Sequence, residues 1–259
     1  MSENIKETIK KRYADVVSDN CGCGPSCCSN ASDVTFSENY TEVEGYIEEA
    51  DYGLGCGIPT AFAQIKEGDT VLDLGSGAGN DVFVARRLVG ENGHVIGVDM
   101  TEPMIEKANQ NKEKLGYQNV DFVLGDIEKL PIEGKSIDVA LSNCVLNLVS
   151  NKYQTYKEVY RVLKPKGHFS ISDIVLNGVL PRKLKNAAEM YVGCVSGALE
   201  KDDYIQAIKE AGFKNIQIVK ERKIKLPDNL LMEYMSADEI AAFKNSKNAI
   251  LSITVYAEK

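Results

Sequence analysis

"VLDLGSGAGND", residues 71–81, decides the fold. Val71–Leu74 is a short β-rich run and the residues after Asn80 follow a helical pattern, so the glycines lie where a strand turns into a helix. Gly75, Gly77 and Gly79 let the backbone turn tightly and approach a ligand with no Cβ in the way. On either side, β-rich runs near 70–75, 94–98, 120–124, 137–142 and 167–174 alternate with helical segments near 80–91, 103–116 and 152–164. That rhythm predicts a doubly wound parallel α/β sheet. Residues 180–213 are mainly helical in pattern, an insertion after the fifth strand expected to cover one edge of the sheet. "NIQIVKERKIKL" (215–226) and "AILSITVYAEK" (249–259) then read as a sixth and seventh strand paired with each other.

The spacing of the glycines narrows the ligand. A dinucleotide fingerprint, G-x-G-x-x-G, would place its third glycine at position 80, which is Asn80. The chain instead carries an acidic Asp73 followed by Gly75, Ser76, Gly77 and Gly79, which resembles the first motif of class I S-adenosylmethionine methyltransferases. That resemblance implies a seven-stranded Rossmann-like sheet and S-adenosylmethionine as cofactor. Asp99 ends the second strand, "HVIGVDM" (94–100), where a carboxylate can accept both ribose hydroxyls, with Met100 beside it. "GDIEKLP" (125–131) follows the third strand and, in the family pattern, sets Asp126 and Ile127 against an adenine edge. The fourth strand ends in "LSNCVLNL" (141–148), which adds Asn143 to the expected cofactor contacts. Methyltransferases of base amino groups commonly carry Asn/Asp-Pro-Pro-aromatic here; Cys144 and Val145 in its place argue against a nucleic-acid amino group as substrate.

Composition excludes other classes. A formal net charge of -8 and a pI near 5.0, with no basic stripe, disfavour a polyanionic partner. The N-terminal "MSENIKETIKKRYADVV" is charged, with Ile5, Ile9, Tyr13 and Val16 at helical spacing, and no apolar run reaches signal or membrane-spanning length. A cytoplasmic monomer is the expectation, with no nucleic acid and no membrane as partner. In that compartment seven cysteines are better read as thiol chemistry or soft-ion binding than as a disulfide scaffold. His94 and His168, the two histidines, fall in strand segments and leave little material for a His-based triad.

Cys144 falls at the carboxyl end of the fourth strand, at the switch point where open α/β sheets bind ligands. Cys56 lies in "YGLGCGIPTA" (52–61) and Cys194 in "YVGCVSGAL" (191–199), both in segments able to wall the same cleft. Each thiol alone also fits a small buried hydrophobe. Together, "YGLGCGIPTA", "VLDLGSGAGNDVF", "GVDMT", "SNCVLNL" and "CVSGAL" resemble the arsenite S-adenosylmethionine methyltransferases over residues 40–215. The glycine motif identifies only the superfamily; the three cysteine-centred motifs, in this order, carry the arsenic assignment.

The resemblance implies that Cys56, Cys144 and Cys194 hold As(III). Trivalent arsenic is soft and favours thiolates, and three thiolates leave a pyramid with a lone pair at its apex, a nucleophile that needs no base. The substrate is then arsenite or its thiol adducts, and a small thiol or thioredoxin-type reductant is the co-substrate. "CGCGPSCC" (21–28) supplies Cys21, Cys23, Cys27 and Cys28 as accessory thiols; their spacing is too tight for a usual zinc hairpin. A structural zinc, a passive tail and a thiol relay stay open for them. The expected organisation is an N-terminal helix and Cys-rich loop (1–39) followed by a methyltransferase domain (40–259), with 178–200 as a substrate-binding helical insertion. A quinone- or sterol-type methyltransferase and a non-enzymatic metalloid-binding protein are the competing functions.

Overall fold

The computed structural model of the protein describes residues 3–18, 37–180, 183, 195, 197–226 and 228–259. Seven strands form one sheet in the order β3-β2-β1-β4-β5-β7-β6. β1 (Thr70–Leu74), β2 (His94–Asp99), β3 (Val120–Leu124), β4 (Ile137–Asn143) and β5 (Leu163–Asn177) run parallel. β7 (Ala249–Glu258) lies antiparallel between β5 and β6 (Lys214–Lys223), so the pairing expected between the last two strands occurs and β7 also completes the pairing of β5. The order reverses between β1 and β4, which puts a crevice at their carboxyl ends.

Alternating side chains along β1 feed two different layers. Val71 packs with Val82, Ala85 and Val95 on one face, Leu72 and Leu74 with Tyr156, Val159 and Phe169 on the other. A strand buried on both faces reads as a near-continuous apolar run, as β1 and much of β4 do, whereas β3 at the sheet edge is partly exposed. The helices that cover them are α2 (Asn80–Val89), α3 (Glu102–Leu115) and α4 (Lys152–Val162). Gly79, at φ 100°, starts α2 directly out of the glycine loop; the Asn151 side chain caps α4 by accepting from Gln154 N at 3.0 Å.

α1 (Glu3–Ser18) packs against α3. Of the stretch 180–213, the described residues give one helix, α5 (Lys201–Ala211), which lies on α4, and a segment at 197–200 that meets the end of β5, an interior strand, through Leu176 N to Leu199 O at 2.8 Å. The described part of the insertion thus sits at the carboxyl end of the sheet, because β7 already occupies the outer side of β5. Two short helices, α6 (Asp228–Tyr234) and α7 (Ala237–Asn245), join β6 to β7. No helix among the described residues is long and apolar enough to cross a membrane.

Candidate active site

The glycine loop forms its turn by donating Gly75 N and Ser76 N to the same acceptor, Val98 O, at 2.7 and 3.1 Å. Gly75 (φ +69°) has no room for a side chain: a Cβ would stand 2.5 Å from Val145. At the end of β2 the Asp99 carboxylate accepts from Gly77 N (3.0 Å) and Thr101 N (2.8 Å), so the loop and the acid fix each other. Burial raises the Asp99 pKa and these N–H donors act against that rise. Asp126 follows β3 and receives Lys6 Nζ of α1 at 2.6 Å; Lys6 also pairs with Glu128. Although desolvation acts in the opposite sense, this cation holds both carboxyls below their usual range.

These groups surround one cavity at the switch point, with Ile9 and Tyr13 of α1 forming part of its wall. The cavity fits S-adenosylmethionine. Glycines at positive φ bring backbone within reach, the buried Ser76 hydroxyl has no partner among the described residues, and Asp99 stands ready at β2. Among the described residues, Asp51, Asp73, Asp81, Asp99, Asp126 and Glu128 line the cavity and Lys6 is the only lysine or arginine, an acidic lining that suits a ligand bearing a sulfonium and an ammonium.

On the other side of β4, Asn143 ties the thiols together. Its Oδ1 accepts from Cys56 N (2.9 Å) and Gly57 N (3.2 Å), while Nδ2 donates to Gly57 O (2.8 Å), Tyr40 OH (2.9 Å) and Asp81 Oδ2 (3.0 Å). Gly55 must be glycine for this approach, since a Cβ there would stand 2.5 Å from Asn143 Nδ2. Cys144, the next residue, adopts φ 63° and donates its N–H to Ser172 O at 2.8 Å. The Cys56 carbonyl accepts from Ser252 Oγ at 2.6 Å. Both thiols are buried in one apolar cluster with Ile174, Val195, Met235 and Ile240, so α6, α7 and the described part of the insertion enclose them.

Ten of the residues expected from sequence line the one cavity: Asp73, Gly75, Ser76, Gly77, Asp99, Met100, Asp126, Ile127, Asn143 and Cys144. Cys56 lies behind Asn143 and is fully buried. Cys194 and Cys21, Cys23, Cys27 and Cys28 are outside the described residues. The sequence reading missed Lys6, Tyr40, Asp81 and Glu128. Asp81 stands in the first turn after the glycine loop and accepts from Tyr40 OH at 2.8 Å; a carboxylate there was visible, its buried partner 41 positions earlier was not.

A methyltransferase-domain family profile matches residues 65–212. The arsenite methyltransferase of Halobacterium salinarum is 38% identical over 95% of this chain and 68% of its own length. The chain belongs to the arsenite methyltransferase family. A second arsenite methyltransferase, from Aquipseudomonas alcaligenes, is 33% identical over 88% of this chain and 68% of the relative. The crystal structure of an arsenic(III) S-adenosylmethionine methyltransferase from Chlamydomonas reinhardtii superposes with a TM-score of 0.65 at 34% identity, covering 86% of this chain and 71% of that one. Within this arsenite methyltransferase family member the methyltransferase profile begins after Cys56 and ends before β6. α1, the Cys56 loop and the α6–α7 wall therefore lie outside the generic domain.

Proposed function

We propose that the chain methylates trivalent arsenic, held by the thiolates of Cys56, Cys144 and Cys194, with S-adenosylmethionine as methyl donor. The observation that carries the reading is that Cys144, on the wall of the donor cavity, and Cys56, whose backbone N–H donates to the residue before Cys144, Asn143, are buried in one apolar cluster. Val195, the residue after Cys194, is buried in the same apolar cluster as both thiols, which supports assigning the third ligand to the 178–200 insertion.

When bound, S-adenosylmethionine supplies an electrophilic methyl carbon on a sulfonium. The chain's residues then do three things. Gly75, Gly77, Asp99 and the Ser76 hydroxyl hold and orient the donor. Thiolate ligands replace hydroxides on the substrate and leave its lone pair free, directed by the pyramid's base. The apolar cluster around Cys56 and Cys144 excludes water from the soft centre. No base is required, because the attacking atom carries no proton. Neither histidine is placed to act as one: His168 Nε2 lies 2.6 Å from Ala63 O and His94 pairs with Asp121. Alignment of two bound partners supplies effective molarities of order ~10⁵ M or more. Transfer through a lone pair raises arsenic to a formally pentavalent state, so a small thiol or thioredoxin-type reductant must return it to the trivalent one.

The test is incubation of the protein with arsenite, a thiol and labelled donor, for wild type and for Cys144→Ser and Cys194→Ser. Methylated arsenic from wild type and none from either variant, with donor binding intact by calorimetry, is the expected result. Normal turnover by Cys194→Ser would overturn the three-thiolate site, and a quinone- or sterol-type enzyme would tolerate both changes.

A further inference from the structure

The loop that carries Cys56 is neither helix nor strand, so side chains from elsewhere satisfy its peptide groups. Cys56 N and Gly57 N donate to Asn143 Oδ1, and the Cys56 carbonyl accepts from Ser252 Oγ. The Gly57 carbonyl lies 2.9 Å from the hydroxyl of Tyr40, a buried side chain that comes from outside the sheet. The same hydroxyl lies 2.8 Å from Asp81 Oδ1 and accepts from Asn143 Nδ2 at 2.9 Å. Its place is set by α2 rather than by the loop. Arg87 Nε donates to Glu44 at 2.6 Å, and Gly45, at φ 93°, sits so close to α2 that a Cβ would stand 3.0 Å from Phe83 O and from Val84. The Tyr40 and Tyr46 rings, with centroids 6.4 Å apart, lie on either side of this anchor in the chain.

We propose that Tyr40 is a positioning residue for arsenic capture: with Asp81 and Asn143, its hydroxyl holds the Cys56 loop against the end of β4, so that Cys56 keeps its spacing from Cys144. The proposal rests on Cys56 and Cys144 being arsenic ligands. An amide can turn over, and its orientation follows from its neighbours. Burial pushes the Asp81 carboxyl up to about 6, against the pull of Asn143 and Tyr40, so above that pH it is ionised and only accepts. Asn143 Nδ2 then faces Asp81 Oδ2, at 3.0 Å, and Oδ1 is left for the two loop N–H groups. Phenylalanine at position 40 would fill the same space, but would leave Asp81 and the Gly57 carbonyl with one donor fewer. Ordering the loop would then draw on the free energy of arsenite binding.

The experiment compares wild type, Tyr40→Phe and Cys56→Ser as full chains. Arsenite is titrated while the near-ultraviolet arsenic–thiolate absorbance is followed, initial rates give KM and kcat, and calorimetry gives donor affinity. Iodoacetamide is added to arsenite-free protein, and peptide mass mapping follows its reaction at Cys56 and at Cys144. Tyr40→Phe should raise the half-saturating arsenite concentration and KM by about tenfold, the factor carried by one hydrogen bond to a charged group. Over the same comparison kcat at saturation and donor affinity stay within about twofold, and Cys56 is alkylated faster than in wild type while Cys144 is not. An unchanged arsenite titration would overturn the proposal. So would an equal loss of donor affinity or equal exposure of both thiols, which mark general loosening. If Tyr40→Phe does not fold, Asp81→Asn leaves one oxygen for the two donors and carries the same comparison, with a smaller shift in the same direction expected and no shift overturning it. Arsenite bound by Cys56→Ser as tightly as by wild type would refute the thiolate site itself, whereas a weakened Cys56→Ser beside a normal Tyr40→Phe refutes the positioning role alone.

Discussion

Asn143 shows how a residue's place and its task separate. A side chain at the carboxyl end of β4 was legible as a contact to the donor, and it does line that cavity, yet its amide is committed to Cys56, Gly57, Tyr40 and Asp81. Sequence gives strand ends through period and glycine, but not which loop 86 positions away will use an amide. Asp81 is more consequential still. Burial raises its pKa to about 6 and that of Asp173 to about 7. Groups raised in the folded state stabilise it when protonated, and this contribution disappears as pH climbs through the folded values. Carboxyls held low by a cation, Asp126 and Glu128 by Lys6 and Glu158 by Arg161, lose their contribution only in more acid solution. Between about pH 5 and about pH 8 the sign therefore belongs to the buried pair, and the donor-free protein should melt at lower temperature as pH rises across that window. Scanning calorimetry checks it, and Asp81→Asn and Asp173→Asn should each flatten the slope.

Among the elements, α1 was readable as an amphipathic helix while its position was not, because periodicity marks an apolar face without naming what covers it. The structure sets it on α3, with Lys6 bridging Asp126 and Glu128 at the rim of the donor cavity. A partly exposed ion pair of this kind contributes about 0.2–1 kcal/mol to holding α1 in place. Lys6→Ala should thus lower the protein's stability by about 0.2–1 kcal/mol, with a smaller difference at high salt, and thermal melting at two ionic strengths decides it. A loss that does not change with salt would assign Lys6 a packing role. α6 and α7 went unread, although Ser236 and Glu239 form a complete capping box that announces α7. Helices of seven and nine residues are too short for periodicity to declare. They matter because Leu231, Met235 and Ile240 pack around Cys56 and Cys144, so the walls around these two thiols were the harder part to foresee.

At the scale of the whole molecule, the parallel sheet was legible because short β-rich runs alternate with helical segments, and β1, β2, β3 and β5 end at glycine or an acid while β4 ends at Asn143. Less legible was how the chain surrounds its thiols, since Asn143, Ser172 and Ser252 reach Cys56 or Cys144 from three strands. The cysteine run at 21–28 joins a chain held at α1 by Lys6 to one held at Glu38 by Lys220 of β6, at 2.5 Å, while Arg222 of the same strand reaches the Cys56 carbonyl at 3.4 Å. If those four thiols relay arsenic or electrons to Cys56, their replacement by serine should slow methylation of arsenite more than of a monomethylated arsenical, which needs fewer thiolates. Initial rates on both substrates test this, and equal losses would reject the relay. β7 carries a different consequence. It follows the other six strands in chain order, yet it is paired on both sides, and it supplies the Ser252 hydroxyl to Cys56 and the Thr254 hydroxyl to Ser172 at 2.9 Å. During synthesis on the ribosome, β1 to β4 and the glycine loop emerge and can pair long before residues 249–258 leave the exit tunnel. A half-made chain can assemble its glycine-loop pocket first and fixes the surroundings of Cys56 and Cys144 only when β7 arrives.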